Sequence, residues 1–533
     1  MSSVHEEFQN SAMLAEKRFS SVVVSSEGAR VDRAIIERSG VFGPLLSKLF
    51  ESGVEGRGVE RVLEDERDGT HTWNIFFFWT SVNLVLSSLS IGILAQDIFS
   101  LTFPHAVAAI VVFGLVSAVL TSLVATLGPK TGLRTMIIVR FSSGYLGGII
   151  YSIFNVLSQL GYAVTCIILG GQTLASVNTG SLPLIVGVII VSICSLIPCF
   201  IGYDMVHTYE RYAWVPLLVI IFFLWGLGGH AGFDIQAQKS TEESGRTLTA
   251  NVISFGGIVF GNTAGWATLS ADYNCRLPVN TPATKVFLLT FFGIYVPTSF
   301  AEILGAALMT ITKPGYPESF ESGSLGGLLG QVLMPWKGFG KFLLVVLALS
   351  VITNNILNTY SVGLSIQALG RPFAKIPRIC WTVVGWIIYT VAGVAGREHF
   401  AEILSNFLAI LGYWSSFFIV GVLEEHYIFR RKTGTLGGYN LDDWDTPGRL
   451  PVGIAGILAG CFGALGAIIG MSEVWYTGPI GRMAGNADVG SRDRVFRYNV
   501  SAVKMARNPD TGKMIVSTTS NSIHGGSGIE WVP

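Results

Sequence analysis

From Ala106 to Gly128 the chain reads "AVAAIVVFGLVSAVLTSLVATLG", without one charged side chain. A helix of about 20 such residues crosses the hydrocarbon core of a bilayer. Backbone N–H and C=O groups find no water there, so a run of this kind spans as an α-helix that satisfies its own hydrogen bonds. Comparable runs recur at 73–95, 103–127, 146–175, 182–202, 212–229, 250–270, 284–310, 339–369, 378–396, 400–428 and 452–472. Charged residues make up only 13% of the 533, against about 25% in a soluble domain. The sequence therefore predicts an all-α polytopic membrane protein with eleven visible spans.

Charge placement orients it. With the N-terminus cytosolic, and with Lys285, Lys341 and Arg378 at span ends counted with the adjoining segments, the N-terminal region and the segments between spans carry 22 Lys and Arg inside against 6 outside, which the positive-inside rule favours. Three regions follow: a cytosolic N-terminal region 1–72, a transmembrane domain 73–472, and a polar tail 473–533 that reads as disordered. That tail holds seven basic residues, Arg482, Arg492, Arg494, Arg497, Lys504, Arg507 and Lys513, which an odd span count leaves outside. Either the chain spans eleven times or its final segment is an altered one, and the second reading is favoured. Net charge is zero and no basic stripe occurs, which argues against nucleic-acid binding. The six cysteines are scattered, so neither a disulfide framework nor a metal cluster is expected. No metal-binding helix, nucleophile elbow or phosphate loop is present, so an enzyme is not expected.

Polar residues inside the spans carry the functional signal. In "SVITNNILNTYSVGLS" (350–365), Ser350, Asn354, Asn358, Ser361 and Ser365 fall on one helical face, with Thr353 and Asn355 beside it. A single asparagine is adequately explained as interhelical glue, worth about 0.6 kcal/mol. Five aligned polar groups point to a solvated cavity instead. Span six, "VISFGGIVFGNTAGWATLSADYN", is punctuated by glycines including Gly265 and carries Asn262, Trp266 and Thr268. Glycine spacing alone fits helix packing, but a mid-span tryptophan among hydroxyls fits a broken helix at a transport site. Span one, with Ser81, Asn83, Ser87, Ser88, Ser90 and Gly92, has a similar interruption. Spans one and six would hold corresponding places in two five-helix repeats. Glu302 is the deepest acid, to be read either as a functional carboxylate or as one paired inside the bundle. Asp272, Glu210, Glu402, Glu424 and Glu425 stand at span ends, where solvated structural roles are expected.

At these residues the sequence resembles the nucleobase–cation symporter family, in its fungal purine–cytosine permease branch. The similarity runs through "ESGVEGRGVERVLEDERDGTHTWN" (51–74), "YERYAW" (209–214), "FGNTAGWATLSADYN" (260–274), "ALSVITNNILNTYS" (348–361), "NFLAILGYWSSFFIVGVLEEHYIFRR" (406–431) and "WYTGPIG" (475–481). The resemblance implies a leucine-transporter-type five-plus-five fold of twelve spans. It also implies proton-coupled uptake of nucleobases at the plasma membrane, with the proton as coupling ion and no cofactor. Trp266 and Thr268 match the family site. The branch pattern Asn-Asn-x-Pro-Asn becomes Asn354, Asn355, Ile356, Leu357, Asn358, so Leu357 replaces the proline. In span three, Tyr162 stands for a tryptophan and Cys166 for an asparagine. The expected site is a flat heterocycle held between Trp266 and Tyr162, its edge read by Asn354 and Asn358. Cys166, Thr268, Ser87 and Ser88 would line the pocket, Asn355, Leu357 and Gly265 would shape it, and Glu302 would carry the proton. Cysteine lacks an amide's paired donor and acceptor, which leaves vitamin B6 as a second substrate. A transport-dead relative acting as sensor or partner is the rival class.

Overall fold

The computed structural model describes residues 58–67, 72–178, 181–200, 203–235, 244–430, 438–473, 475–488, 505–507 and 514–516. Most of the expected regions 1–72 and 473–533 therefore lie outside the described residues. Each of the eleven apolar runs is helical. Span one is a broken pair, α1 (Asn74–Asn83) and α2 (Leu86–Asp97), bent by 49°. It is followed by α3 (Phe103–Ala125), α4 (Arg140–Ser176), α5 (Leu184–Leu196), α6 (Tyr203–Ala231) and α7 (Gly245–Gly265). The second half comprises α8 (Ala283–Leu308), α9 (Tyr316–Leu333), α10 (Lys337–Gln367), α11 (Arg378–Gly396), α12 (Phe400–Glu424) and α13 (Ile454–Gly470).

Small residues let these helices approach. A Cβ at Gly92 would stand 1.8 Å from the Glu302 carbonyl oxygen, and one at Gly305 would stand 2.0 Å from that of Leu89. The backbones of α2 and α8 are thus in direct contact, the small-residue packing typical of membrane helices. Gly261 on α7 meets the Leu408 carbonyl of α12 in the same way, at 2.2 Å. These contacts set α2 against α8 and α7 against α12, while α10 packs along α4.

Two expectations need correcting. The segment between spans seven and eight is not simple loop, because α9 occupies it. Gly326 of α9 lies against the backbone of Gln172 and Thr173 on α4. Its glycine-rich sequence gives a weak helical signal, and tertiary packing decides. Asp272 is also not solvated. It is 4% exposed and its Oδ1 accepts the Thr135 N–H (2.6 Å) and the Thr135 hydroxyl (2.9 Å). This carboxylate caps the short helix Thr135–Ile138 and ties it to the end of span six. Glu425 is likewise held, by Arg430 Nε at 2.6 Å.

The start of the tail is ordered. Strands β1 (Ser472–Glu473) and β2 (Tyr476–Thr477) pair antiparallel, and a short helix Pro479–Met483 follows. Tyr413 of α12 lies 2.7 Å from Glu473 Oε1 and 2.8 Å from Asp488 Oδ2. The Asp488 N–H donates to Ser254 Oγ of α7 at 2.9 Å.

Candidate functional site

Two helix interruptions create the site. At the first, Leu84 (φ −87°, ψ 60°) and Val85 (φ −133°, ψ 167°) leave helical geometry, freeing backbone groups that must find partners inside the bundle. Residues of the polar stripe supply several. Ser350 Oγ accepts the Leu86 N–H at 3.2 Å, and Asn354 Nδ2 donates to the Val82 carbonyl at 3.4 Å. The Ser88 hydroxyl donates to the Asn83 carbonyl at 2.6 Å. Ser88 is therefore a cap on the break, while Ser87 is only partly buried and its carbonyl accepts the Ser90 hydroxyl.

The second interruption is where α7 tightens into a 3₁₀ turn, Trp266–Thr268. Trp266 is 1% exposed, and its indole N–H donates to Asn83 Oδ1 at 3.0 Å. That bond joins the two breaks directly. Tyr162 of α4 stacks on Trp266 with centroids 5.7 Å apart and planes 8° from parallel. Its hydroxyl donates to the Asn262 carbonyl at 2.8 Å. A ring inserted between them at about 3.5 Å from each face would need about 7 Å. The expected sandwich is therefore closed here, the two platforms resting on each other. Gly265 permits this: a Cβ there would stand 2.6 Å from the Tyr162 hydroxyl oxygen and 2.7 Å from Leu411.

Beside the platforms lies an amide pair. Asn358 Nδ2 donates to Asn354 Oδ1 at 2.9 Å, and Cys166 Sγ lies 3.8 Å from the same oxygen. Asn358 Oδ1 is buried without a partner, leaving an acceptor available to a ligand. Asn355 points elsewhere: fully buried beside the Tyr389 hydroxyl, it makes no hydrogen bond of good geometry with it. Leu357, at the proline position, packs in one apolar cluster with Trp79 and Trp266.

The rest of the stripe is engaged in hydrogen bonds between helices. Asn155 Nδ2 donates to Ser365 Oγ (2.7 Å) and Ser361 Oγ (3.4 Å), while its Oδ1 accepts from Thr268 (2.7 Å) and Gln159 (3.0 Å). Thr268, Ser361 and Ser365 thus belong to a network that knits α4, α7 and α10; for the two serines this is the glue reading, and Thr268, expected to line the pocket, is bonded into the same network. Glu302 is fully buried. Its Oε1 accepts the Asn262 amide at 3.2 Å and its Oε2 has no partner. Asn83 and Asn262 stand in the sequence as polar positions of spans one and six but not as expected site residues, and Asn155 and Gln159 are not among the expected positions. Asn155 and Gln159, one turn apart on a face opposite serines, are the signal that was available.

Two near-parallel rings beside paired amides, with no nucleophile–base pair among them, suit recognition of a flat polar ring. Residues 61–479 match the family model described as "Permease for cytosine/purines, uracil, thiamine, allantoin". The chain is 36% identical to the purine-cytosine permease fcyB of Emericella nidulans, over 87% of this chain and 91% of the relative. It is 31% identical to the vitamin B6 transporter TPN1 of Saccharomyces cerevisiae, over 86% and 88%. Among solved structures, Mhp1, a nucleobase-cation-symport-1 family transporter in a closed conformation with bromovinylhydantoin bound, superposes with TM-score 0.52 at 15% identity. That match covers 84% of this chain and 98% of Mhp1. The expected leucine-transporter-type architecture is thus the fold of this chain.

Proposed function

From the premise that this chain belongs to the permease family for cytosine/purines, uracil, thiamine and allantoin, we propose that it carries a purine- or cytosine-type heterocycle inward across the plasma membrane with protons. The observation that carries this reading is the stacked Tyr162–Trp266 pair beside Asn354 and Asn358. Entry of the substrate parts the two rings and takes up the free Asn358 acceptor, and the amides read its edge. Glu302 is the proton site. It is enclosed, has one donor and no cation, and so its surroundings suit a neutral carboxylic acid. The N-terminus is cytosolic, supported by the distribution of basic residues.

Uptake of labelled cytosine, adenine and pyridoxine by cells lacking their own permeases tests this reading. Saturable uptake of one of them, abolished by a protonophore, is the expected result. Uptake that ignores external pH between 5 and 8 and follows external sodium overturns the proton assignment. A properly delivered chain that moves none of them is the sensor or partner of the rival reading. Vitamin B6 has one observation in its favour. Cys166 offers Asn354 only a weak sulfur contact at 3.8 Å, so the site lacks one amide with which to read a nucleobase edge.

A further inference from the structure

We propose that Asn262 is the positioning residue through which the proton on Glu302 sets the affinity of the ring site, an inference that rests on the Glu302 reading above. Asn262 holds both partners at once. Its side-chain amide donates to Glu302 Oε1 at 3.2 Å, and its backbone carbonyl accepts the Tyr162 hydroxyl at 2.8 Å. That carbonyl is available because the helix tightens just beyond it: the Trp266 N–H, its regular partner, is directed at the Thr263 and Ala264 carbonyls. The residue stands four positions before the Trp266 platform, so any movement of its backbone is felt on both rings.

The carboxyl has one oxygen without a partner, in a residue fully enclosed by protein. As a neutral acid it needs little more than the Asn262 donor. Once ionised it needs several donors or water, and the nearest donor is the Asn262 amide. Drawing that amide toward the charge shifts the carbonyl that seats Tyr162. The helices packed on α8 carry no second acid or base at this depth. Their ionisable residues are Asp97 closing α2, His105 in the first turn of α3, and those in the first three turns and the last turn of α6. Arg246 opens α7, α8 itself adds Lys285 and Tyr295, and α1 has none. Proton and substrate therefore meet through one residue, and linkage makes the effect reciprocal. Couplings of this kind span roughly 5–150-fold.

The test is KM against pH from 5 to 8 in intact cells, scored per surface molecule. In the unmodified chain KM should rise about tenfold toward pH 8. Asn262→Ala, which keeps the carbonyl but removes the amide, should reduce that rise to less than twofold. Tyr162→Phe, which cuts the other bond, should flatten it as well and decides the matter if Asn262→Ala fails to reach the surface. Glu302→Gln should flatten it in every background. If Glu302→Gln flattens the profile but both other variants keep the tenfold rise, Asn262 is not the link and only this inference falls. If Glu302→Gln itself keeps the rise, the proton site is elsewhere and both readings fall. An equal loss at every pH in Asn262→Ala, with the slope intact, marks a structural role and overturns the proposal.

Discussion

Cys166 shows how a single residue can redirect a site. Its thiol reaches Asn354 only at 3.8 Å, where an asparagine would present both a donor and an acceptor. Cys166→Asn should therefore raise apparent affinity for cytosine and adenine by about tenfold, since a bidentate amide discriminates by about 1–3 kcal/mol. Competition profiles in the correctly delivered single mutant check this, and unchanged profiles sink it. Adding Tyr162→Trp is less informative than the sequence alone suggests, because it also removes the hydroxyl bonded to Asn262. For the amide pair, Asn354→Ala or Asn358→Ala should abolish or severely weaken uptake per surface molecule while delivery stays near normal. A variant of either that transports normally would remove the stripe from the site. Residue types at the site were legible from the sequence, as was the common face of Asn354 and Asn358. Their partners were not, because a hydrogen bond between helices depends on rotation and depth, which helical periodicity leaves open. Asn355 is the instructive case. Its side-chain amide would be expected to hold a neighbour, yet both its polar atoms lack a hydrogen bond of good geometry.

At the scale of the helix, the break in span one explains much of the polar stripe. By its place on the stripe Ser350 is expected to line a cavity, and in the fold its hydroxyl oxygen caps the Leu86 N–H. Ser350→Ala should strand that donor in the bundle, at a cost of about 1–3 kcal/mol. The expected readout is a lower unfolding temperature in detergent, with the order of substrate preference unchanged. A variant as stable as the parent would show that water or another side chain replaces the hydroxyl. The α2–α8 contact makes a harsher prediction. A methyl group at Gly92 would overlap the Glu302 carbonyl, and neither backbone can yield without tilting its helix. Overpacking of this kind costs about 1–3 kcal/mol or more, so Gly92→Ala should cut surface delivery sharply. Normal delivery and uptake in Gly92→Ala would show that the two helices are not in backbone contact. Glycine positions announced close packing in the sequence, but which helix each one meets became visible only in the fold.

Across the whole molecule, the eleven apolar runs were legible because lipid leaves the backbone so few choices. The fate of the chain after span eleven was not, because a polar segment carries no such constraint. Its first residues dock through Tyr413, whose single hydroxyl hydrogen cannot serve Glu473 and Asp488 together, at 2.7 and 2.8 Å. A second proton on the carboxyl pair completes the arrangement. Burial pushes the Glu473 carboxyl up to about 7, the charge of Asp488 acts in the same direction, and the Tyr413 hydrogen bond opposes them. An exposed glutamate titrates near 4.3, so the docked segment binds this proton more tightly than the released one. Docking is then strongest below about pH 4.3, weakens as pH rises, and loses this contribution as pH passes through about 7. Hydrogen exchange of the amides from 472 to 488, corrected for intrinsic rates, should accordingly show more protection at pH 5.5 than at pH 8. Glu473→Gln carries no titratable proton and should show equal protection at both. If the unmodified chain is equally protected at pH 5.5 and 8, the shared proton does not hold the tail against α7 and α12.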